Sequence, residues 1–265
     1  MARKVTGGIG ETLKTIIYAV VIALFIRTFF YEPFSIPSAS MVPTLLVGDY
    51  LFVSKFSYGY SRYSLPFGLP LLSGRIFFNT PHRGDVVVFK LPCQYPQLDQ
   101  RTAAIYGARC DNTTDFIKRL VGLPGDKIQM KGGILNINGQ PLKRERLEPY
   151  FYTDPETGRT TTYTQYIETL PEGYRHPIIE IGDDQPLDNT DEFTVPPNTY
   201  FMMGDNRDDS ADSRDPTSGV GFVPAENLVG RAEFIFFSTD LYARWWEVWK
   251  WPFTVRYNRL LSGIR

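Results

Sequence analysis

Apolar residues are distributed along this chain in two ways. Over residues 12–31 they run almost unbroken, with Lys14 and Arg27 near the two ends. That is about the ~20 residues an α-helix needs to cross a bilayer, and long basic side chains at its ends can reach back to the interface. Beyond Glu32 the pattern changes. Short apolar runs alternate with Gly, Pro, Asn and Asp, as strands alternate with turns. Residues 50–56 read as a strand opening after Gly48-Asp49, and residues 57–81, rich in Tyr, Pro, Gly and Leu, as a loop without a clear period. Arg83-Gly84-Asp85 turns into Val86-Val87-Val88-Phe89-Lys90, a β-branched run of buried-strand type. Residues 91–112 form an excursion. Residues 115–123 read as a strand closed by Pro124-Gly125. Residues 127–130 and 134–137 flank Gly132-Gly133 as a hairpin, and Asn138-Gly139 is a further tight turn. Residues 141–195 are charged, with scattered Pro, Gly and Thr, and read as an inserted subdomain of short strands and loops. Residues 198–203 form another strand.

Composition narrows the class. The 265 residues suffice for one large or two small domains. Abundant Tyr, Phe, Gly and Pro favour strands and turns. A net charge of −1 leaves no basic surplus to neutralise phosphates, which argues against a nucleic-acid partner. Cys93 and Cys110 lack metal-ligand spacing with either histidine; a disulfide outside the cytoplasm and two free thiols both fit.

Arg3, Lys4 and Lys14 lie on the N-terminal side of the apolar run and Glu32 follows it. The positive-inside rule then places the N-terminus in the cytoplasm and the body outside. A cleaved signal peptide is the rival reading, with Ser38-Ala39-Ser40 as its small-residue cleavage site. Residues 27–32 prolong the segment past a usual signal core and Pro37 stiffens the backbone beside the cut, so an uncleaved anchor is preferred.

Three stretches carry candidate chemistry. Pro33 to Leu45 holds Ser38 and Ser40 between prolines, on backbone that is extended or turn-like rather than helical. A serine on stiff backbone suits a nucleophile; a plain linker leaving an anchor has the same composition. In the second stretch, strand alternation puts Phe116, Lys118 and Leu120 on one face. Burial would lower the lysine's pKa and make it a general base. A lysine at a sheet edge, or the reverse register with Arg119 inward, also fits. The third, Met203 to Asp215, has no glutamate at the twelfth position and no central glycine for a calcium loop. It reads instead as charge pairs, with Asp212 and Arg214 pinning the backbone and Ser210 orienting a neighbour. His82 sits in a turn and reads as a surface residue, and His176 has no evident partner.

Taken together these segments resemble the type I signal peptidases, membrane-anchored Ser/Lys proteases. The resemblance rests on Ser38-Ala39-Ser40-Met41-Val42-Pro43-Thr44-Leu45, Arg83-Gly84-Asp85-Val86-Val87-Val88-Phe89, Phe116-Ile117-Lys118-Arg119 with Gly122-Leu123-Pro124-Gly125-Asp126, and Gly204-Asp205-Asn206-Arg207 with Ser210-Ala211-Asp212-Ser213-Arg214. It implies Ser40 as nucleophile and Lys118 as general base. Ser38 would join the Ser40 N–H in an oxyanion hole, Ser210 would orient Lys118, and Asp212 and Arg214 would form a supporting ion pair. Ile36, Met41, Leu45, Phe116 and Ile117 resemble the family's small apolar substrate pockets. The implied fold is mainly β: an antiparallel catalytic core (32–140 and 196–265), an inserted smaller β subdomain (141–195), and one N-terminal transmembrane helix within residues 1–31. The implied activity is removal of signal peptides from exported preproteins after small residues, at the outer face of the bacterial cytoplasmic membrane, with membrane lipid as a partner and without metal or cofactor.

The chain departs from the family pattern after Arg214, where Asp215 to Pro224 replaces a shorter aromatic link, and in having one apparent transmembrane helix where some members have two. A disulfide known in some members does not carry over. The Trp-rich run 244–253 is too charged to span; it suits a membrane interface or a final packed strand. Another Ser/Lys peptidase, or an anchored scaffold that has lost activity, stays as the alternative.

Overall fold

The structure is a computed structural model that describes residues 9–65, 72, 74–92, 114–155, 157–215, 219–240, 246–247 and 249–264. Cys93, Cys110 and nearly all of the 91–112 excursion lie outside the described residues.

The apolar run forms one helix, Ile9–Phe29. Its apolar residues run all round it: Leu13, Ile16, Ile22 and Phe25, on different sides of the helix, are each about half exposed. A helix without a polar face suits lipid, and this one is long and apolar enough to cross a membrane. It ends two residues before the apolar pattern does, because Tyr31 already pairs with Ser54 in the first strand, Tyr31–Ser35. Only Phe30 separates helix from strand. Its carbonyl accepts from Lys55 N at 2.9 Å, and the Tyr60 hydroxyl donates to Phe29 O at 2.8 Å. Glu32 is held by Arg27 at 2.6 Å and by the buried Lys55 at 2.8 Å.

The main sheet is eight-stranded and antiparallel in its pairings. Its order is Tyr31–Ser35, Asp49–Ser54, Leu228–Ser238, Val86–Lys90, Asp115–Gly122, Thr199–Met203 and Val223–Pro224, with Ser262–Gly263 paired to Leu228–Ser238. The strand expected at 50–56 stops at Ser54, and the one expected at 198–203 starts at Thr199, because Asn198 is left-handed at φ 60°. The central strands are buried on both faces. Val86 and Val88 join Ile36, Met41, Leu45, Leu51 and Val53 on one side. Val87 and Phe89 join Leu120, Tyr200 and Met202 on the other. That double burial is why residues 86–89 are apolar without alternation. It also corrects the one-face expectation for the neighbouring strand, since Lys118 and Arg119 are both buried.

Two smaller sheets complete the body. Lys143–Arg146, Tyr150–Thr153 and Arg175–Glu180 all pair with Thr160–Thr169. Phe193–Thr194, Lys127–Lys131, Ile134–Ile137 and Gln140–Pro141 make the other. The expected 57–81 loop contains a short ladder, Tyr60–Ser61 with Arg75–Ile76. Within the Trp-rich run a short helix, Trp251–Thr254, stands where a packed strand was the alternative; Trp246, Trp249 and Phe253 are exposed.

Candidate active site

Ser40 lies in the turn that follows the first strand. Ile36 N donates to Asp49 O (2.9 Å) and Gly48 N to Ile36 O (3.0 Å), which closes the 36–49 segment at its base. Val42 N to Ala39 O and Leu45 N to Met41 O fix the turn itself. Met41, Val42 and Leu45 are fully buried, so the turn is anchored from inside.

Lys118 arrives from the interior of the sheet, opposite Val87. Its Nζ donates to Ser40 Oγ at 2.5 Å, and both residues are buried. Burial pulls the lysine down to about 8 from 10.5, against the opposing pull of Asp212 and Asp205. A neutral amine in contact with a hydroxyl is the arrangement that generates a nucleophile. Ser38 Oγ lies 3.4 Å from Ser40 Oγ.

The loop after Thr199–Met203 grips the serine from behind. Asn206 N donates to Ser40 O (3.2 Å), and its side-chain amide to Ala39 O (3.3 Å). Gly204 passes so close that a Cβ there would stand 2.5 Å from Ser40 O and collide with the Ser210 side chain. Gly204 N donates to Asp212 Oδ2 at 3.0 Å. Asp212 receives a two-pronged ion pair from Arg214 at 2.9 and 2.8 Å, with both side chains buried. Burial pushes the Asp212 carboxyl up, but Arg214 and two backbone N–H groups outweigh it and hold it below its usual range. Ser210 Oγ is buried beside Gly204 and has no hydrogen-bond partner among the described residues.

Of the expected pocket residues, Ile36, Met41 and Leu45 form one buried cluster with Ile117 packed against it. Phe116 points to the opposite cluster, where it stacks at 6.2 Å on Phe89. His82 is exposed in its turn.

Several residues here carried no assigned role in the sequence reading. Arg119 forks onto Asp205 at 2.8 and 2.7 Å, and Thr44, four residues past Ser40, donates to the same carboxylate at 2.5 Å. Arg207 forks onto Glu168 at 2.9 and 2.6 Å. His176 lies between, its nitrogens 3.5 Å from Glu168 and from Asp205. The only local signal was the density of Arg and Asp beside Lys118 and Gly204; Glu168 and His176 sit in a different segment.

The family model described as "Signal peptidase, peptidase S26" matches residues 9–237. A signal peptidase I of Rickettsia canadensis is 40% identical over 95% of this chain and 92% of its own length. That of Rickettsia typhi is 41% identical over 87% of this chain and 80% of its own. A solved signal peptidase I from Enterococcus faecalis aligns at 25% identity and a TM-score of 0.30, over 58% of this chain and 97% of its own. With most of the chain matched by the family model and by relatives of this identity, the protein belongs to the signal peptidase I family of serine endopeptidases.

Proposed function

We propose that this membrane-anchored serine endopeptidase frees exported preproteins of their signal peptides by a Ser40–Lys118 dyad, cutting after small residues at A-x-A-type sites. The observation that carries the reading is the 2.5 Å contact between a buried lysine and a buried serine hydroxyl. Neutral Lys118 takes the Ser40 proton as Oγ attacks the scissile carbonyl. The new oxyanion meets the Ser40 N–H and the Ser38 hydroxyl, donors placed where charge develops. The Lys118 ammonium then protonates the departing amine, and the acyl-enzyme forms. The amine, neutral again, activates a water that releases the cleaved signal peptide.

Ser210 orients Lys118; support comes from its buried hydroxyl beside Gly204, which has no hydrogen-bond partner among the described residues and is free to serve the amine. Asp212 and Arg214 hold Gly204 and with it the backbone behind Ser40. Ile36, Met41, Leu45 and Ile117 bound a small apolar pocket, and Phe116 lines the approach from the other face. Residues 32–140 and 196–265 form the catalytic core and 141–195 its insert.

The N-terminus lies in the cytoplasm and the site on the outer side of the bacterial inner membrane, in keeping with the basic residues before the helix. Lipid is a partner through the helix, and nucleic acid is not a partner. The test is cleavage of a model preprotein by the detergent-solubilised protein beside Ser40→Ala and Lys118→Ala. Cleavage after small residues, lost in both variants, is expected. Activity surviving Lys118→Ala would move the base elsewhere, and absence of cleavage by the folded parent would overturn the reading.

A further inference from the structure

Neither the nucleophile nor its base touches His176, yet this side chain closes a continuous buried circuit behind them. It stands on Arg175–Glu180, directly across from Glu168 on Thr160–Thr169. It is 1% exposed, and among the described residues neither ring nitrogen has a hydrogen-bond partner at ordinary distance. Nε2 faces Glu168 Oε2 and Nδ1 faces Asp205 Oδ1, both at 3.5 Å. Each of these carboxylates already holds an arginine: Arg207 on Glu168 and Arg119 on Asp205. The ring thus joins two ion pairs that would otherwise present their carboxylates to each other without a donor between them.

The two pairs flank one residue in the chain. Asp205 precedes Asn206 and Arg207 follows it. Asn206 is the residue whose backbone N–H and side-chain amide hold Ser40 O and Ala39 O. The same strand supports this loop through its backbone, because Ile179 N donates to Asp205 O (3.0 Å) and Arg207 N to Ile179 O (2.9 Å). The main-chain bridge fixes the height of Asn206. The imidazole fixes the separation of the charged groups on either side of it. Asp205 also receives Thr44 and Arg119, which belong to the serine turn and to the lysine strand. A shift of its carboxylate therefore reaches both partners of the dyad.

We propose that His176 is a positioning residue for the Ser40–Lys118 pair: by bridging Asp205 and Glu168 it holds Asn206, and through it the Ser40 backbone, in register with Lys118. The inference rests on the dyad reading above. It requires that loss of the bridge slow the chemical step rather than weaken substrate binding, because misplacement by about 1 Å can cost about a hundredfold in rate.

The experiment measures kcat and KM for preprotein cleavage by the full-length protein carrying His176→Leu or His176→Gln, with Ser40→Ala alongside. His176→Leu is expected to lower kcat by about ten- to a hundredfold with KM changed less than about twofold. His176→Gln, whose amide keeps two N–H donors for carboxylates, is expected to recover part of that loss. Circular dichroism and the thermal midpoint establish that each variant is folded at the assay temperature. If His176→Leu does not fold, His176→Gln alone decides by the same split. Folded variants with parental kcat, a loss confined to KM, or failure of both variants to fold would each overturn the inference, the last because the residue would then serve the fold as a whole. Cleavage by Ser40→Ala would instead sink the dyad reading, so the two failures are distinguishable.

Discussion

Asp49 and Arg259, 210 residues apart, form a two-pronged ion pair at 3.1 and 2.5 Å beneath the serine turn. Asp49 is fully buried and also accepts from Ser238 Oγ and from Leu46 N. The same guanidinium donates to Thr44 O (2.9 Å), and Arg256 to Val47 O (3.0 Å). The C-terminal segment thus clamps the chain a few residues past Ser40. Arg259→Met removes the two-pronged cation and leaves the buried carboxylate only the more distant Arg256 at 3.8 Å; breaking a buried pair typically costs about 3–5 kcal/mol. Denaturant unfolding is expected to show that loss, and kcat for preprotein cleavage to fall with it. A variant of parental stability would mean that Arg256, Ser238 and Leu46 satisfy Asp49 without Arg259.

In the proposed dyad the state of Lys118 sets the pH dependence. Its folded value of about 8 lies below the ordinary 10.5 because burial disfavours the ammonium. A neutral amine is required, so kcat/KM is expected to rise with pH through about 8 and to level off above it. A profile that levels off near 6.5, the ordinary histidine range, would exclude Lys118 as the base.

The same group makes a stability prediction of defined sign. Between pH 8 and 10.5 the unfolded chain holds more protons than the folded one at this position, so stability rises with pH across that window. Below about 8 the folded protein carries a buried ammonium, and the fall from 10.5 corresponds to about 3 kcal/mol lost at neutral pH. Lys118→Met is therefore expected to raise the thermal midpoint at pH 7 while abolishing cleavage. A lower midpoint would mean that the Ser40 contact and the neighbouring carboxylates outweigh the cost of burying the ammonium.

Gly204 has no room for a side chain. Gly204→Ala would drive a methyl group against Ser40 O and the Ser210 side chain. Either the turn or the loop must move, and a displacement of about 1 Å at the nucleophile is expected to lower kcat by about a hundredfold. Steady-state kinetics on the folded variant checks this; retention of kcat would mean that the loop alone gives way.

Removal of residues 1–31 takes away the helix, Arg27 and the first residue of the edge strand. The shortened protein is expected to cleave a soluble peptide far better than a preprotein embedded in vesicles, relative to the full chain. Equal efficiency on both substrates would show that the anchor plays no part in substrate encounter.

Much of this was legible in the sequence. The apolar run gave the helix, the non-alternating 86–89 run gave a strand buried on both faces, and the stretches that hold Ser40 and Lys118 meet in space. The strand register was harder. Alternation places either Lys118 or Arg119 inside, and it fails because the sheet is covered on both sides at that point, so each finds its own buried partner. Asp49–Arg259 and Glu168–His176–Asp205 were not legible, because such pairings depend on sheet order and leave no local pattern. The motif groups Phe116 with Ile117, whereas neighbours in a strand face opposite ways.

The junction at Phe30 contains no hinge. The helix passes into a strand whose register is fixed from Tyr31 onward, and Lys55, Tyr60 and Glu32 fasten both sides of the transition. Anchor and sheet are therefore expected to move as a single lever. A bilayer whose thickness makes the helix tilt tilts the β-sheet by the same angle, and the height of Ser40 over the lipid follows from the membrane's thickness rather than from slack in the chain.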